Sequence, residues 1–193
     1  MYKRQVENGG GKVLSLQVYD RATGGVAGAV TRLAKSAPFD GVLVADSAAA
    51  ANAAAPAVKR SSASVHLLGT ELWNTDPAVA TRTGLNGAWF ASVSNNLYRQ
   101  YATKYRARFG SGPYRLSSLG YDSVLLVVRI ARDWPVGARF PESELRDRGG
   151  YTGIDGAFRF GRDGLAERAL EVQEIRAGAV SVVSPAPGGF DGR

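Results

Sequence analysis

The chain has 193 residues, 45% hydrophobic and 21% charged, ordinary for a globular protein and long enough to bury a core without staples. Its 24 Lys and Arg outnumber 17 Asp and Glu for a formal charge of +7. These basic residues are scattered, with no run of the roughly five or six like charges that marks a nucleic-acid arm. Cysteine is absent, which excludes disulfides, thiolate metal sites and cysteine nucleophiles.

Residues 1–8 hold no apolar stretch of the length an export signal needs, and Gly9-Gly10-Gly11 predicts a helix ending there. Residues 12–19 alternate as a strand through Val13, Leu14, Leu16 and Val18. After a turn at 20–25, Val26, Val30 and Leu33 recur at helical spacing up to Lys35, and Pro38 stops that helix. Residues 41–45 (Gly-Val-Leu-Val-Ala) are a short apolar run of the buried parallel-strand type. Asp46-Ser47 can cap the alanine-rich helix expected over 48–59, which Pro56 should kink or shorten. Residues 65–69 form a further strand. The order strand, helix, strand, helix, strand predicts a parallel sheet covered by helices. In such sheets ligands gather at the carboxyl ends of the strands, here Asp20-Arg21, Asp46-Ser47 and residues 69–74.

The second half reads differently. Residues 87–93 predict a strand, and 95–109 an amphipathic helix with Leu97, Tyr101, Tyr105 and Phe109 on one face. Residues 117–133 predict a largely buried helix through Leu119, Val124, Leu125, Val128 and Ile130. The apolar run inside it is far shorter than the roughly 20 residues of a membrane span. A short helix is expected at 141–145, then a meander over 153–160 and 167–183 with turns at 161–164 and 177–178. The tail from Pro185 is rich in Pro and Gly and should fray.

Parts for catalysis are missing. The one histidine, His66, lies in an apolar strand and reads as structural, and no Gly-x-Ser-x-Gly elbow or P-loop occurs. Gly24-Gly25 with Gly28 has the wrong spacing for a dinucleotide loop. Glu142/Glu144 and Glu171/Glu174 read as solvated surface. Asp155-Gly156 and Asp163-Gly164 read as turns, since the other oxygen ligands of a calcium loop are absent at the required spacing. The aromatics and arginines between Tyr98 and Tyr105 read as helix packing with a charged outer face rather than a nucleic-acid platform. The expectation is a non-enzyme with no cofactor, no metal and no nucleic-acid partner.

Several segments, in order, carry a resemblance. They are residues 12–20, the strand 39–45 (Phe-Asp-Gly-Val-Leu-Val-Ala, like "PD-x-V"), 67–73 (Leu-Leu-Gly-Thr-Glu-Leu-Trp) and 85–90. Then come 105–113 (like "Y-x-x-x-F/Y-G-x-x-P"), 120–124 (Gly-Tyr-Asp-Ser-Val, like "a-Y-D-A-v") and 153–160 (like "G-x-x-G-x-x-x-F"). Together they resemble the type 1 periplasmic substrate-binding proteins of the leucine/isoleucine/valine-binding branch, with the penicillin-binding protein activators closest in likeness. The resemblance implies an α/β fold: a three-layer parallel-sheet lobe with part of the second lobe, the chain being the C-terminal half of a two-lobed protein. It places residues 1–86 and 151–193 in the second lobe and 87–150 as a segment returning to the first. It implies periplasmic location, with a lipoprotein parent as one option, although this chain shows no signal and no membrane span. Carried over by position, the ligand-facing candidates are Asp46, Ser47, Thr70, Glu71, Trp73, Phe90 and Ser92. Helix capping by Asp46 and Ser47, and a loop-anchoring role for Trp73, stand beside that reading. The implied function is regulation of cell-wall synthesis through a penicillin-binding protein, the alternative being capture of a small, amino-acid-type solute for an ABC transporter or receptor. If half of a two-lobed fold is absent, uncovered surfaces should drive self-association.

Overall fold

The computed structural model describes residues 2–36, 38–61 and 64–190. Its elements, in chain order, are α1 (Tyr2–Asn8), α2 (Val26–Ala34), β1 (Gly41–Val44), α3 (Ala48–Ser61), β2 (His66–Gly69), β3 (Trp89–Ser92), α4 (Asn96–Phe109), α5 (Ser117–Ala131), β4 (Tyr151–Gly153), β5 (Gly156–Phe160), β6 (Ala166–Arg168), β7 (Glu171–Arg176) and β8 (Ala179–Ser184). Two compact units result, one of Met1–Phe90 with Gln173–Ser181, the other of Ala91–Val172 with Val182–Arg193.

In the first unit, β1, β2 and β3 pair in parallel, with Gly41 opposite His66 and Gly69 opposite Phe90. The full sheet runs β1-β2-β3-β7-β8. A two-residue turn joins the last two strands, with Ala177 at φ 42° and Gly178 at φ 90°. Both angles are positive, as a tight hairpin turn that follows strand twist requires. One sheet face carries the core. Val42, Val44, Leu67, Phe90 and Ile175 point into it, and α2 and α3 cover it through Val26, Val30, Ala51, Ala54, Ala55 and Val58. Alanines at these contacts let helix and sheet backbones approach closely, and the largest fully buried side chains are Trp73, Phe90 and Leu85. On the other face of the sheet Leu43 and Trp89 stay more than a third exposed, and His66 stacks on Trp89 at 4.8 Å.

Two expectations are corrected here. Residues 12–19 form no strand; they find no ladder partner among the described residues, and Leu16 and Val18 stand 84% and 83% exposed. Pro56 does not shorten α3, which is continuous to Ser61. The helix-favouring alanines around Pro56, packed against the core, offset its cost of about 3 kcal/mol. His66 opens the strand β2, as expected, and is exposed there. The short helix expected at 141–145 is the 3-10 helix Glu142–Arg146.

The second unit pairs β4, β5 and β6 antiparallel around a core of Leu126, Ile130, Tyr151 and Phe158. Gly110 ends α4 in the left-handed conformation at φ 75°, its N–H bonded to the Arg106 carbonyl, a glycine C-cap. Helix α5 buries one stripe only, Ser118, Asp122, Leu126 and Ile130 at four-residue spacing. Leu119, Val124, Leu125, Val127 and Val128 remain exposed, contrary to the largely buried helix expected. Residues 151–172 group with 91–150 in this unit. The cause is local: the Asp122 carboxylate accepts the Ile154 N–H at 2.7 Å, and Tyr151 and Phe158 complete the core under α5.

Candidate ligand cleft

At the carboxyl end of β1 the chain turns into α3 through Asp46 and Ser47. The Ser47 hydroxyl accepts the Ala50 N–H at 3.2 Å, an N-cap that satisfies one otherwise orphaned donor. Asp46 is 4% exposed and is surrounded by donors. Its Oδ2 accepts the Tyr19 hydroxyl at 2.6 Å and Arg21 Nε at 2.8 Å. Its Oδ1 accepts the Ser47 N–H at 2.6 Å and Arg21 Nη2 at 2.8 Å. The guanidinium therefore meets the carboxylate fork to fork. Burial pushes the Asp46 pKa up, but the Tyr19 hydroxyl, the Ser47 N–H and Arg21 together outweigh it and hold the group below its ordinary value. Burial, and then the bond to Asp46, push Tyr19 up to about 12.

The backbone of Asp46 is fixed from the core. Its carbonyl accepts the indole Nε1–H of Trp73 at 3.0 Å. Trp73 is fully buried, 5.8 Å from the Phe90 ring, and its indole lies flat over Gly69. A Cβ at Gly69 would stand 2.6 Å from Trp73 Cε3 and nearer still to Cδ2 and Cε2, so this position has room for glycine alone. The result is a cleft of about 500 Å³ above the strand ends. Tyr19, Arg21, Asp46 and Ser47 make its polar wall; Val26, Ala50, Ala53 and Leu72 make its apolar one. Thr75 at the rim donates its hydroxyl to the Leu72 carbonyl.

Of the residues expected to face a ligand, Asp46 and Ser47 line this cleft. Thr70 follows β2 with a buried hydroxyl that has no partner among the described residues, and Glu71 is exposed at the start of the 3-10 turn Glu71–Thr75. Trp73 and Phe90 are taken up by the core, exposed 0% and 2%. Ser92 is fully buried, its hydroxyl donated to the Val93 carbonyl. Tyr19, Arg21, Leu72 and Thr75 were not among those candidates. The strand-end reading that named Asp46 also named Asp20-Arg21 and residues 69–74, and so reached Arg21 and Leu72 but not Tyr19 or Thr75.

The second unit holds its own buried polar cluster. Asp155 pairs with Arg115 at 2.9 Å and accepts the Ser118 hydroxyl at 2.6 Å, while Arg115 lies 4.0 Å over the Tyr98 ring. Burial, together with the neighbouring charge of Asp155, raises the Asp122 pKa against the backbone N–H groups of Ile154 and Asp155 and the charge of Arg168. These contacts tie α5 to the turn before β5. Among the described residues no group of three or more His, Asp or Glu is placed to hold a metal ion, and no helix is long and apolar enough to cross a membrane.

No family profile and no curated protein matches the sequence. Solved structures do match the fold. A putative branched-chain amino acid ABC transporter protein from Rhodospirillum rubrum superposes with a TM-score of 0.73 at 18% identity, over 94% of this chain and 55% of that one. The LpoA C-domain from Haemophilus influenzae, a regulator of PBP1A, gives 0.62 at 16% identity over 93% and 54%. A solute-binding protein of an ABC transporter from R. palustris, in complex with benzoate, gives 0.56 at 16% identity over 96% and 54%. The chain spans about half the length of each. Identities this low speak for architecture, not for ligand or partner. The chain has a mixed α/β fold, its central sheet mostly parallel, and in this it is similar to these solved structures.

Proposed function

We propose that this chain is the ligand-recognising part of an extracytoplasmic binding protein, and that the cleft at the end of β1 takes up a small solute without transforming it. The observation that carries this is the cleft itself: about 500 Å³, a polar wall held rigid by the bonds to Asp46, and an apolar wall. Sites of this size, mostly apolar with a few fixed polar groups, suit small ligands. Its one carboxylate is ionised and occupied by donors, so it offers neither a free base nor a proton to give. His66 lies outside the cleft lining. The solved structures of like fold include transporter binding proteins, which supports a periplasmic location.

The test is a titration of the 15N-labelled chain with small solutes, among them amino acids and simple organic acids. Saturable shifts confined to the amides of residues 19–26, 46–53 and 72–75 are expected with at least one class. Shifts scattered over the surface, or none with any solute, would refute the reading.

A second reading is favoured by the apolar side chains that α5 exposes and by the fold shared with a PBP1A regulator: a protein-docking role at a penicillin-binding protein. An exposed patch of this kind also promotes self-association. Val124→Glu with Val128→Glu on α5 would abolish capture by such an enzyme while leaving solute titrations unchanged.

A further inference from the structure

The hydrogen-bonding capacity of the cleft wall is one-sided. A carboxylate offers about four lone-pair positions. Asp46 has four donor contacts in place, from Tyr19, Ser47 and two nitrogens of Arg21. It is buried beneath them, so an incoming ammonium group would have to displace one of its own partners. Arg21 stands the other way. A guanidinium carries five N–H groups; two are used on Asp46, and with Arg21 in the cleft lining and its side chain 72% exposed, three remain free for a partner from solvent. The Ser47 oxygen accepts the Ala50 N–H, which leaves its own O–H to give. The Arg21–Asp46 pair is neutral as a whole, yet what it turns outward is donors. The rest of the lining is aliphatic: Val26, Ala50, Ala53 and Leu72.

Resting on the solute-binding reading above, we infer that the cleft selects an apolar monocarboxylate that lacks an α-ammonium group. The carboxylate meets Arg21 and Ser47 with charge-assisted hydrogen bonds, and the hydrocarbon body lies against the apolar wall. A zwitterionic amino acid of the same skeleton brings three further donors to a wall without a free anionic acceptor. Leaving a charged donor unpaired weakens binding by at least about tenfold.

The probes are 4-methylpentanoate, leucine and 3-methylbutylamine, which share one branched skeleton, and benzoate with benzylamine as an aryl pair. Each is titrated into the 193-residue chain and followed by amide shifts. Expected are saturation by one or both carboxylates, leucine weaker than 4-methylpentanoate by about tenfold or more, and no saturation by either amine. Arg21→Met should abolish carboxylate binding and, by freeing two acceptor positions on Asp46, allow the amines to bind. If leucine or an amine binds the wild-type cleft as tightly as its carboxylate counterpart, the inference fails while solute binding stands. If none of the five probes moves the cleft amides, the inference fails, and the wider panel of amino acids and organic acids decides whether solute binding falls with it. The wild-type comparison decides the inference even if Arg21→Met does not fold.

Discussion

Gly69→Ala tests whether the core really sets the cleft. Gly69 does not sit at a positive φ, so its backbone alone would accept alanine. Substitution at such a site usually stabilises by about 0.4–1 kcal/mol through the unfolded chain. Here the added methyl would stand 2.6 Å from Trp73 Cε3, and closer to two further ring atoms. Ordinary contact begins near 3.4 Å, so the indole must move by at least 3.4 − 2.6 = 0.8 Å. It has nowhere to go, being fully buried with Phe90 beside it. Overpacking of this kind costs about 1–3 kcal/mol, and a tilted indole leaves a buried N–H without the Asp46 carbonyl, about 1–3 kcal/mol more. Net of the entropic gain, the variant should lose roughly 2–4 kcal/mol, or roughly 5–15 °C in Tm for a chain of this size. Urea unfolding followed by far-UV circular dichroism reads this directly. In a Trp73→Ala background the same substitution should cost almost nothing, because the clashing group is gone. A Gly69→Ala protein as stable as the parent, or equal losses in both backgrounds, would refute the account of how Asp46 is held.

The opposite sign is expected at Gly120→Ala in α5. No atom lies within 4 Å of a Cβ there, so helix propensity should raise stability by up to about 1 kcal/mol in the same urea assay. The Tyr19–Asp46 bond should appear in the pH dependence of stability. Tyr19 is raised to about 12 in the fold, so its contribution is full below its ordinary value of 10 and is lost between pH 10 and 12. Tyr19→Phe should flatten that alkaline limb. Asp46 is lowered, so its contribution is full above the ordinary carboxylate range and fades as pH falls through its lowered value; Asp46→Asn should remove that acid limb. Asp122 behaves inversely. Its raised pKa means its ionised form costs stability at neutral pH, with the loss growing as pH rises through the raised value. Asp122→Asn keeps an acceptor for the Ile154 N–H and should be no less stable than the parent at pH 7, whereas Asp122→Ala should lose about 1–3 kcal/mol.

The parallel strands were legible because each is a short unbroken apolar run, Val42 to Val44 and Leu67 to Gly69, although only one face of β1 turns out to be buried. Residues 12–19 alternate as well as any strand, yet a strand exists only where a neighbour supplies the ladder, and no local pattern encodes the neighbour. Helix α5 failed for a related reason. Its apolar residues wrap the whole helix, and hydrophobicity pointed to Leu119, Val124, Leu125, Val128 and Ile130. Only Ile130 of these is in the buried stripe, which instead holds Ser118 and Asp122. Those two polar groups are buried because Asp155 and the Ile154 amide satisfy them from about 35 residues away.

The cleft shows the same division more sharply. That Asp46 and Ser47 lie at a ligand-facing position follows from strand order, and a reader of the sequence reaches it. That Asp46 is already filled does not, because its partners Tyr19 and Arg21 lie 27 and 25 residues earlier. Reading the carboxylate as a ligand for an amine is natural until those partners are seen. An ion pair whose cation stands in solvent, as Arg21 does at 72% exposed, adds little to stability, about 0–1 kcal/mol, and Tyr19 and Ser47 would still hold Asp46 if Arg21 were gone. Water could then reach the vacated positions, since Arg21 covers them from the open side. The pair therefore matters far more for the polarity of the cleft than for the fold. Arg21→Met should leave unfolding within about 1 kcal/mol of the parent while exchanging a wall of donors for one with a free anionic acceptor. Stability and recognition separate at this residue, and a variant that lost both together would mean that Arg21 is part of the scaffold rather than of the site.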